Sequence, residues 1–192
     1  MPRLMPLTLL LALAVAPLAG AADAPAAGSG DFRLVSSELV AGGRLEQRHV
    51  LNGFGCTGGN VSPALSWSGA PAGTKSFALT VYDPDAPTGS GWWHWVVVDI
   101  PPTTTALAAG AGDASGAKAP KGALQIATDY GKPGFGGACP PAGDKPHRYV
   151  FTVYALKVDK LGVDPAATAA MTGFMLNANT LAKTGFTVYY GR

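Results

Sequence analysis

Apolar positions in this chain recur at the two-residue spacing of half-buried strands or as short continuous runs, broken by proline- and glycine-bearing turns. From Phe32 onward the pattern is strand after strand. Lys75–Tyr82 reads as a buried strand ended by Asp83-Pro84, and Trp93–Ile100 as a second, stopped by Pro101-Pro102. Arg148–Leu156 is the third and clearest, β-branched or aromatic at most positions, and Thr187–Tyr190 is a fourth. Helical spacing is confined to the end of the chain, where Met171, Phe174, Met175, Ala178 and Leu181 form one apolar stripe, read as core packing. Asp164 is the expected N-cap and Pro165 the first helical residue, and Gly173 offers a point of division into two short helices. Thr103–Pro120 is an Ala/Gly/Thr-rich stretch expected to run over the surface. Together these elements predict a mainly β fold, an antiparallel β-sandwich with short helices near the C-terminus.

The first residues follow another logic. Arg3, the apolar run Leu4 to Ala16 and the small residues Ala19-Gly20-Ala21 read as a signal peptide over residues 1–21, cleaved near Ala21 or Ala22. Residues 22–30 form an Ala/Pro/Gly/Ser linker, and residues 31–192 have the length of one domain. A periplasmic or secreted product is expected. A hydrophobic fraction of 47% against 14% charged residues fits a globular core. The net charge of +2 is scattered, which argues against a nucleic-acid partner. Two cysteines, Cys56 and Cys139, invite a disulfide in an oxidising compartment, closing a loop of roughly 80 residues and stabilising by ~4 kcal/mol. Two free buried thiols are the competing reading.

Several signatures fail. Asp83-Pro-Asp85 begins like a calcium loop, but Pro87 and Thr88 occupy its fifth and sixth positions and no glutamate closes it. Gly134-Phe-Gly136-Gly137 is no dinucleotide fingerprint, and there is no Gly-x-Ser-x-Gly elbow, Walker loop or His-Glu-x-x-His. No cofactor is expected.

Two segments remain in which a proline-rich turn brings polar residues to the mouth of an apolar strand. One runs from Asp83-Pro84-Asp85-Ala86-Pro87 into Gly91-Trp92-Trp93-His94-Trp95, the other from Pro140-Pro141-Ala142-Gly143 into His147-Arg148-Tyr149. Polar groups placed there must be solvated, paired or bound to something. Strict alternation puts Trp92, His94, Val96 and Val98 on one face and Trp93, Trp95 and Val97 on the other. His147, Tyr149, Phe151 and Val153 share a side, so His94, His147 and Asp83 meet if the strands lie in one sheet. Arg148 is expected to face solvent or pair with an acid.

These motifs, in this order, resemble the two signature regions of the phosphatidylethanolamine-binding protein family. Phe54-Gly-Cys-Thr-Gly-Gly-Asn60, Gly91-Trp-Trp-His-Trp95 and the closing Tyr-Gly-Arg192 resemble its bacterial branch, the Raf-kinase-inhibitor-like YbhB/YbcL proteins. The resemblance implies a sandwich with a strand-end pocket for phosphate, a phospholipid headgroup or acetate-like anions. It implies Asp83, His94, His147 and Tyr149 as pocket residues, Asp85, Pro141 and Trp92 as its wall, and a cis peptide, for which Ala86-Pro87 is the candidate. Eukaryotic members carry a further C-terminal helix beside the pocket, whereas the sequence here ends soon after a strand, so kinase inhibition is not expected to transfer with the pocket.

In such a pocket Asp83 would fix a histidine's tautomer and raise its pKa, and protonated His94 or His147 would donate to the anion. Tyr149 and N–H groups of the glycine-rich loops would add neutral donors. Affinity is then expected to fall as pH rises through the histidine pKa. A non-enzymatic anion-binding or interaction module is the leading reading, with an extracytoplasmic protein partner or a homodimer compatible with it. A hydrolase or acyl-transfer enzyme using the His/Asp cluster and a His/His/Asp metal site are the alternatives.

Overall fold

The computed structural model describes residues 31–192 together with Met1, so the expected signal peptide and linker lie, Met1 apart, outside the described residues. In chain order the strands are β1 Arg33–Ser36, β2 Asn52–Gly53, β3 Cys56–Thr57, β4 Leu65–Ser68 and β5 Ser76–Asp83. They continue as β6 Trp92–Ile100, β7 Ala106–Leu107, β8 Leu124–Gln125 and β9 His147–Leu156. A helix, α1 Ala169–Asn179, leads directly into β10 Thr180–Tyr190.

One sheet has the order β10-β9-β5-β6-β8, a second β1-β4-β7, and β2-β3 is a small hairpin. Every pairing between these strands is antiparallel, as expected. The inward positions Leu79, Val81, Trp95, Val97, Phe151 and Val153 of the larger sheet pack against Leu34, Leu65 and Trp67 of the smaller. The other face of the larger sheet is covered too: Ala78, Val96 and Val98 pack against Leu161, Ala169 and Leu176. Burial on both faces is why β5 and β6 read as continuous apolar runs rather than alternating ones. Each large aliphatic or aromatic side chain so enclosed contributes about 1.5–3 kcal/mol.

Three expectations need correction. The helix is single, and its N-cap is Thr168, whose Oγ1 accepts the Met171 N–H at 3.1 Å; Asp164 instead caps the turn before it through the Ala166 N–H. Gly173 does not divide it. The face it buries is Ala169, Thr172 and Leu176, while Met171 and Phe174 are 56% and 68% exposed. The helix is apolar nearly all round, so periodicity alone could not select the buried face. The final strand begins seven residues earlier than Thr187 and takes in Leu181, because its Lys183-Thr184-Gly185 stretch mimics a turn yet pairs with β9 at the sheet edge. Thr103–Pro120 is not wholly a surface excursion: β7 joins the smaller sheet, and Leu107 and Ala111 enter the core.

Candidate functional site

β5 ends on Asp83, whose carboxylate folds back over the turn it starts. Its Oδ1 accepts the N–H groups of Asp85 at 2.8 Å and Ala86 at 3.1 Å. This side-chain turn, with a Thr88 N–H to Ala86 carbonyl bond of 2.8 Å, reverses the chain with Ala86-Pro87 in trans. The expected cis bond is absent among the described residues, because Asp83 supplies the hydrogen bonds that hold the reversal. Gly91, just before β6, has φ +71°, and a Cβ there would lie 2.2 Å from the Tyr82 hydroxyl and 2.6 Å from the Asp83 carbonyl.

The register along β6 departs from strict alternation. Asp83 pairs with Trp92 and Tyr82 with Trp93, but Val81 pairs with Trp95, leaving His94 as the extra residue of a bulge. The bulge re-phases the strand. Trp95 and Val97 enter the core between the sheets and Val96 and Val98 turn to the helix side, while His94 lines one cleft with Trp92. On β9 the expected alternation holds, and His147, Tyr149, Phe151 and Val153 are all buried on the inner side.

The cleft so formed has a volume of about 320 Å³ and is lined by Asp83, Trp92, His94, Pro141, His147 and Tyr149 among others. Six of the seven residues singled out from sequence therefore come together. The seventh, Asp85, does not reach the lining: its carboxylate is held by Arg148, at 2.9 Å from Nε and 2.8 Å from Nη2, with the Arg148 backbone N–H at 2.9 Å. That bidentate pair holds the Asp85 carboxyl at about 2, well below the ordinary carboxylate range, against a smaller opposing effect of burial. It also meets the expectation that Arg148 pairs with an acid.

Within the cleft Asp83 Oδ2 accepts the Nδ1–H of His147 at 2.8 Å, both side chains being almost fully enclosed. The other ring nitrogen of His147 lies 3.4 Å from Asp144 at the rim. His94 is arranged differently. Its Nδ1–H donates to the Gly136 carbonyl at 2.8 Å, and its Nε2 has no hydrogen-bond partner. Burial pushes the His94 imidazole below its usual pKa, and the Gly136 carbonyl and Asp83 charge oppose this only in part. Of the two histidines that Asp83 was expected to hold, it pairs with His147, and burial leaves His94 neutral near pH 7. Burial likewise pushes the phenols of Tyr149 and Tyr130 upward, reinforced by the Asp83 charge, so both stay protonated.

Two N–H groups of the glycine-rich loop before Cys139 are not free donors either. The Gly136 N–H is taken by the His94 carbonyl at 2.8 Å and the Gly137 N–H by Asn60 Oδ1 at 2.7 Å. Gly136 has another role: a Cβ there would lie 2.2 Å from the Tyr130 ring. Tyr130 closes the cleft beside His94 and donates to the Gly137 carbonyl at 2.9 Å. Among the described residues no group of three or more His, Cys, Asp or Glu side chains is placed to hold a metal ion.

Sequence reasoning missed Tyr130 and Arg192 as cleft residues. Tyr130 lies in a turn with no periodic signal. Arg192 belongs to the closing Tyr-Gly-Arg motif, and its guanidinium donates to the carbonyls of Pro140 at 2.7 Å and Gly55 at 3.1 Å. It ties together the same two segments that the Cys56–Cys139 disulfide joins across 83 residues. The expected disulfide is present, and Cys139 and Phe54 form the adjoining wall.

A family model described as phosphatidylethanolamine-binding protein matches residues 35–191. YbcL of Escherichia coli is 58% identical over 83% of this chain and 87% of its own length. YbhB of the same organism is 51% identical over 83% of this chain and 99% of its own. The crystal structure of YbcL, described as a new member of the mammalian PEBP family, superposes with a TM-score of 0.83 at 57% identity, covering 84% of this chain and 98% of that one.

Proposed function

Because the chain belongs to the phosphatidylethanolamine-binding protein family, we propose that its cleft binds a small anionic group, phosphate-like or phospholipid-headgroup-like, without turning it over. One observation carries this reading. Among the described residues five buried side-chain polar atoms lack a hydrogen-bond partner, and three of them, Tyr149 Oη, Trp92 Nε1 and His94 Nε2, belong to residues lining this cleft. Buried polar atoms left unpaired cost about 1–3 kcal/mol each, so their concentration at one place favours a ligand that satisfies them.

Arg192 supplies positive charge around the cleft, and Tyr149 and Trp92 supply neutral N–H and O–H donors. A binding role is preferred to hydrolysis or acyl transfer because both Ser/Thr/Cys-type nucleophiles lining the cleft are committed. Thr88 donates its hydroxyl to the Gly91 carbonyl, and Cys139 is in the disulfide. The disulfide also supports an exported protein, periplasmic or secreted, whose protein partner would be extracytoplasmic. Phosphorus NMR of inorganic phosphate titrated with the protein tests the binding. Tyr149→Phe keeps the ring in the core and removes the hydroxyl, and is expected to weaken binding at least about tenfold, the worth of one good hydrogen bond. Equal binding by the variant would rule the reading out.

A further inference from the structure

The helix side of the larger sheet carries a second groove, of about 350 Å³, between α1 and the strands beneath it. The bulge at His94 shapes its floor. Trp95 turns inward, while Trp93 stays on the helix side beside Tyr82, with ring centroids 4.6 Å apart. Tyr154 of β9 and Phe174 of α1, itself 68% exposed, complete four aromatic walls. Asp129 is the only charged residue of the lining. Its Oδ2 accepts the Trp93 backbone N–H at 2.8 Å, which fixes the carboxylate beside that residue, and among the described residues it forms no ion pair.

The helix is opened over this groove by Gly173. A Cβ there would meet Trp93 at 3.5 and 3.6 Å, ordinary contact distances, and the backbone is not in the left-handed region. Alanine would therefore fit, and glycine inside a helix is less stable than alanine. Neither conformation nor room demands this glycine; its missing methyl keeps part of the Trp93 ring uncovered. Aromatic faces carry the negative side of the ring quadrupole, so rings grouped beside a carboxylate suit a cation. The chain already uses one of them in this way: Lys183 Nζ stands 5.8 Å from the centroid of Tyr154. Lys183 does not line the groove, and Tyr82, Trp93 and Phe174 have no such partner among the described residues. We propose that the groove binds a small quaternary ammonium cation. Methyl groups around the nitrogen give up little hydration on entering an aromatic site, whereas a primary ammonium is strongly hydrated and loses hydrogen bonds that the rings cannot replace. The site lies on the opposite side of the sheet from Tyr149 and does not depend on the anion reading of the cleft.

Three probes separate charge from shape in nitrogen-15 NMR titrations that follow the Trp93 indole N–H and the Gly173 backbone N–H. They are tetramethylammonium, methylammonium with the same charge, and tert-butanol with a similar shape and no charge. Tetramethylammonium is expected to shift both signals saturably, and the other two to bind at least about tenfold more weakly. Phe174→Ala changes an exposed side chain and is expected to weaken tetramethylammonium by about two- to fivefold. Gly173→Ala is expected to unfold at a higher urea concentration yet bind tetramethylammonium at least about twofold more weakly, which a loss of folding could not produce. Asp129→Asn keeps an acceptor for the Trp93 N–H and is expected to remove the salt dependence of tetramethylammonium binding. Equal binding of tert-butanol would make the groove merely apolar and overturn the proposal. Equal binding of methylammonium would assign the attraction to Asp129 alone and overturn it as well. So would the absence of any saturable shift at Trp93 and Gly173, or affinity unchanged in both Phe174→Ala and Gly173→Ala. Inorganic phosphate titrated into the same sample reports on the cleft separately, so neither result decides the other.

Discussion

Asp83 does two jobs at once, and two substitutions separate them. Its Oδ1 holds the turn through two backbone N–H groups, and its Oδ2 accepts His147 Nδ1–H at 2.8 Å, in a residue only 2% exposed. Asp83→Asn keeps an acceptor for the turn and replaces the charged oxygen facing His147 by an amide donor. The charge-assisted bond it removes contributes about 1.5–3 kcal/mol, and His147 recovers part of this only by moving its proton to Nε2. A loss near 2 kcal/mol is expected. Asp83→Ala removes the turn bonds as well, leaving two backbone donors to find other partners at about 1 kcal/mol each, for a total near 4 kcal/mol. Urea unfolding at pH 7 measures both losses, and nitrogen-15 NMR reads the His147 tautomer directly. If Asn and Ala cost the same, the turn bonds contribute nothing. If Asn costs less than about 0.5 kcal/mol, the buried pair is not a stabilising feature and the account of Asp83 given above is wrong.

Replacing Cys56 and Cys139 together by serine opens a loop of 83 residues, and chain entropy alone makes the variant about 4.5 kcal/mol less stable, read by denaturant unfolding; a loss below about 1 kcal/mol would contradict this. His94 has a depressed folded-state pKa, so the unfolded chain binds its proton first and stability declines as pH falls below about 6.5 toward the folded value. His94→Gln should flatten that part of the unfolding profile between pH 8 and 5, and an unchanged slope would place its cause elsewhere. Asp85 is depressed to about 2, so the stability from its pair with Arg148 is present above pH 3.8 and disappears as pH falls through about 2. Asp85→Asn should cost only about 1 kcal/mol at pH 7, since Arg148 is half exposed, and thermal melts over pH 2–5 should show a shallower acid limb.

The strands with β-branched and aromatic side chains were legible because local composition and burial coincide there: β5, β6 and β9 appear within one or two residues of their expected bounds. The two motifs were legible because chemistry-bearing residues stand beside proline turns at strand ends, where polar groups need a partner. The cysteine pair was legible from its even number and the expected export. What the sequence could not decide were the phases. Alternation put His94 on the same side as Val96, and only cross-strand pairing creates the bulge that turns His94 into the cleft while sending Val96 to the helix side. A helix apolar on nearly all sides does not announce which face it buries, and the sheet beneath α1 chose Leu176 over Phe174. Asp85 and Asp83 are equivalent in sequence as carboxylates flanking a proline. Tertiary structure separates them, because Arg148 reaches the one and His147 the other. The protonation of His94 was decided the same way. Sequence shows a histidine near a carboxylate, which predicts a raised pKa; enclosure of the ring by Tyr130, Tyr149 and Gly136 makes burial the larger effect and reverses the sign. Local pattern fixes which residues are chemically eligible. Their distances, burial and partners come from segments far apart in the chain, and those quantities set charge and hydrogen-bond polarity.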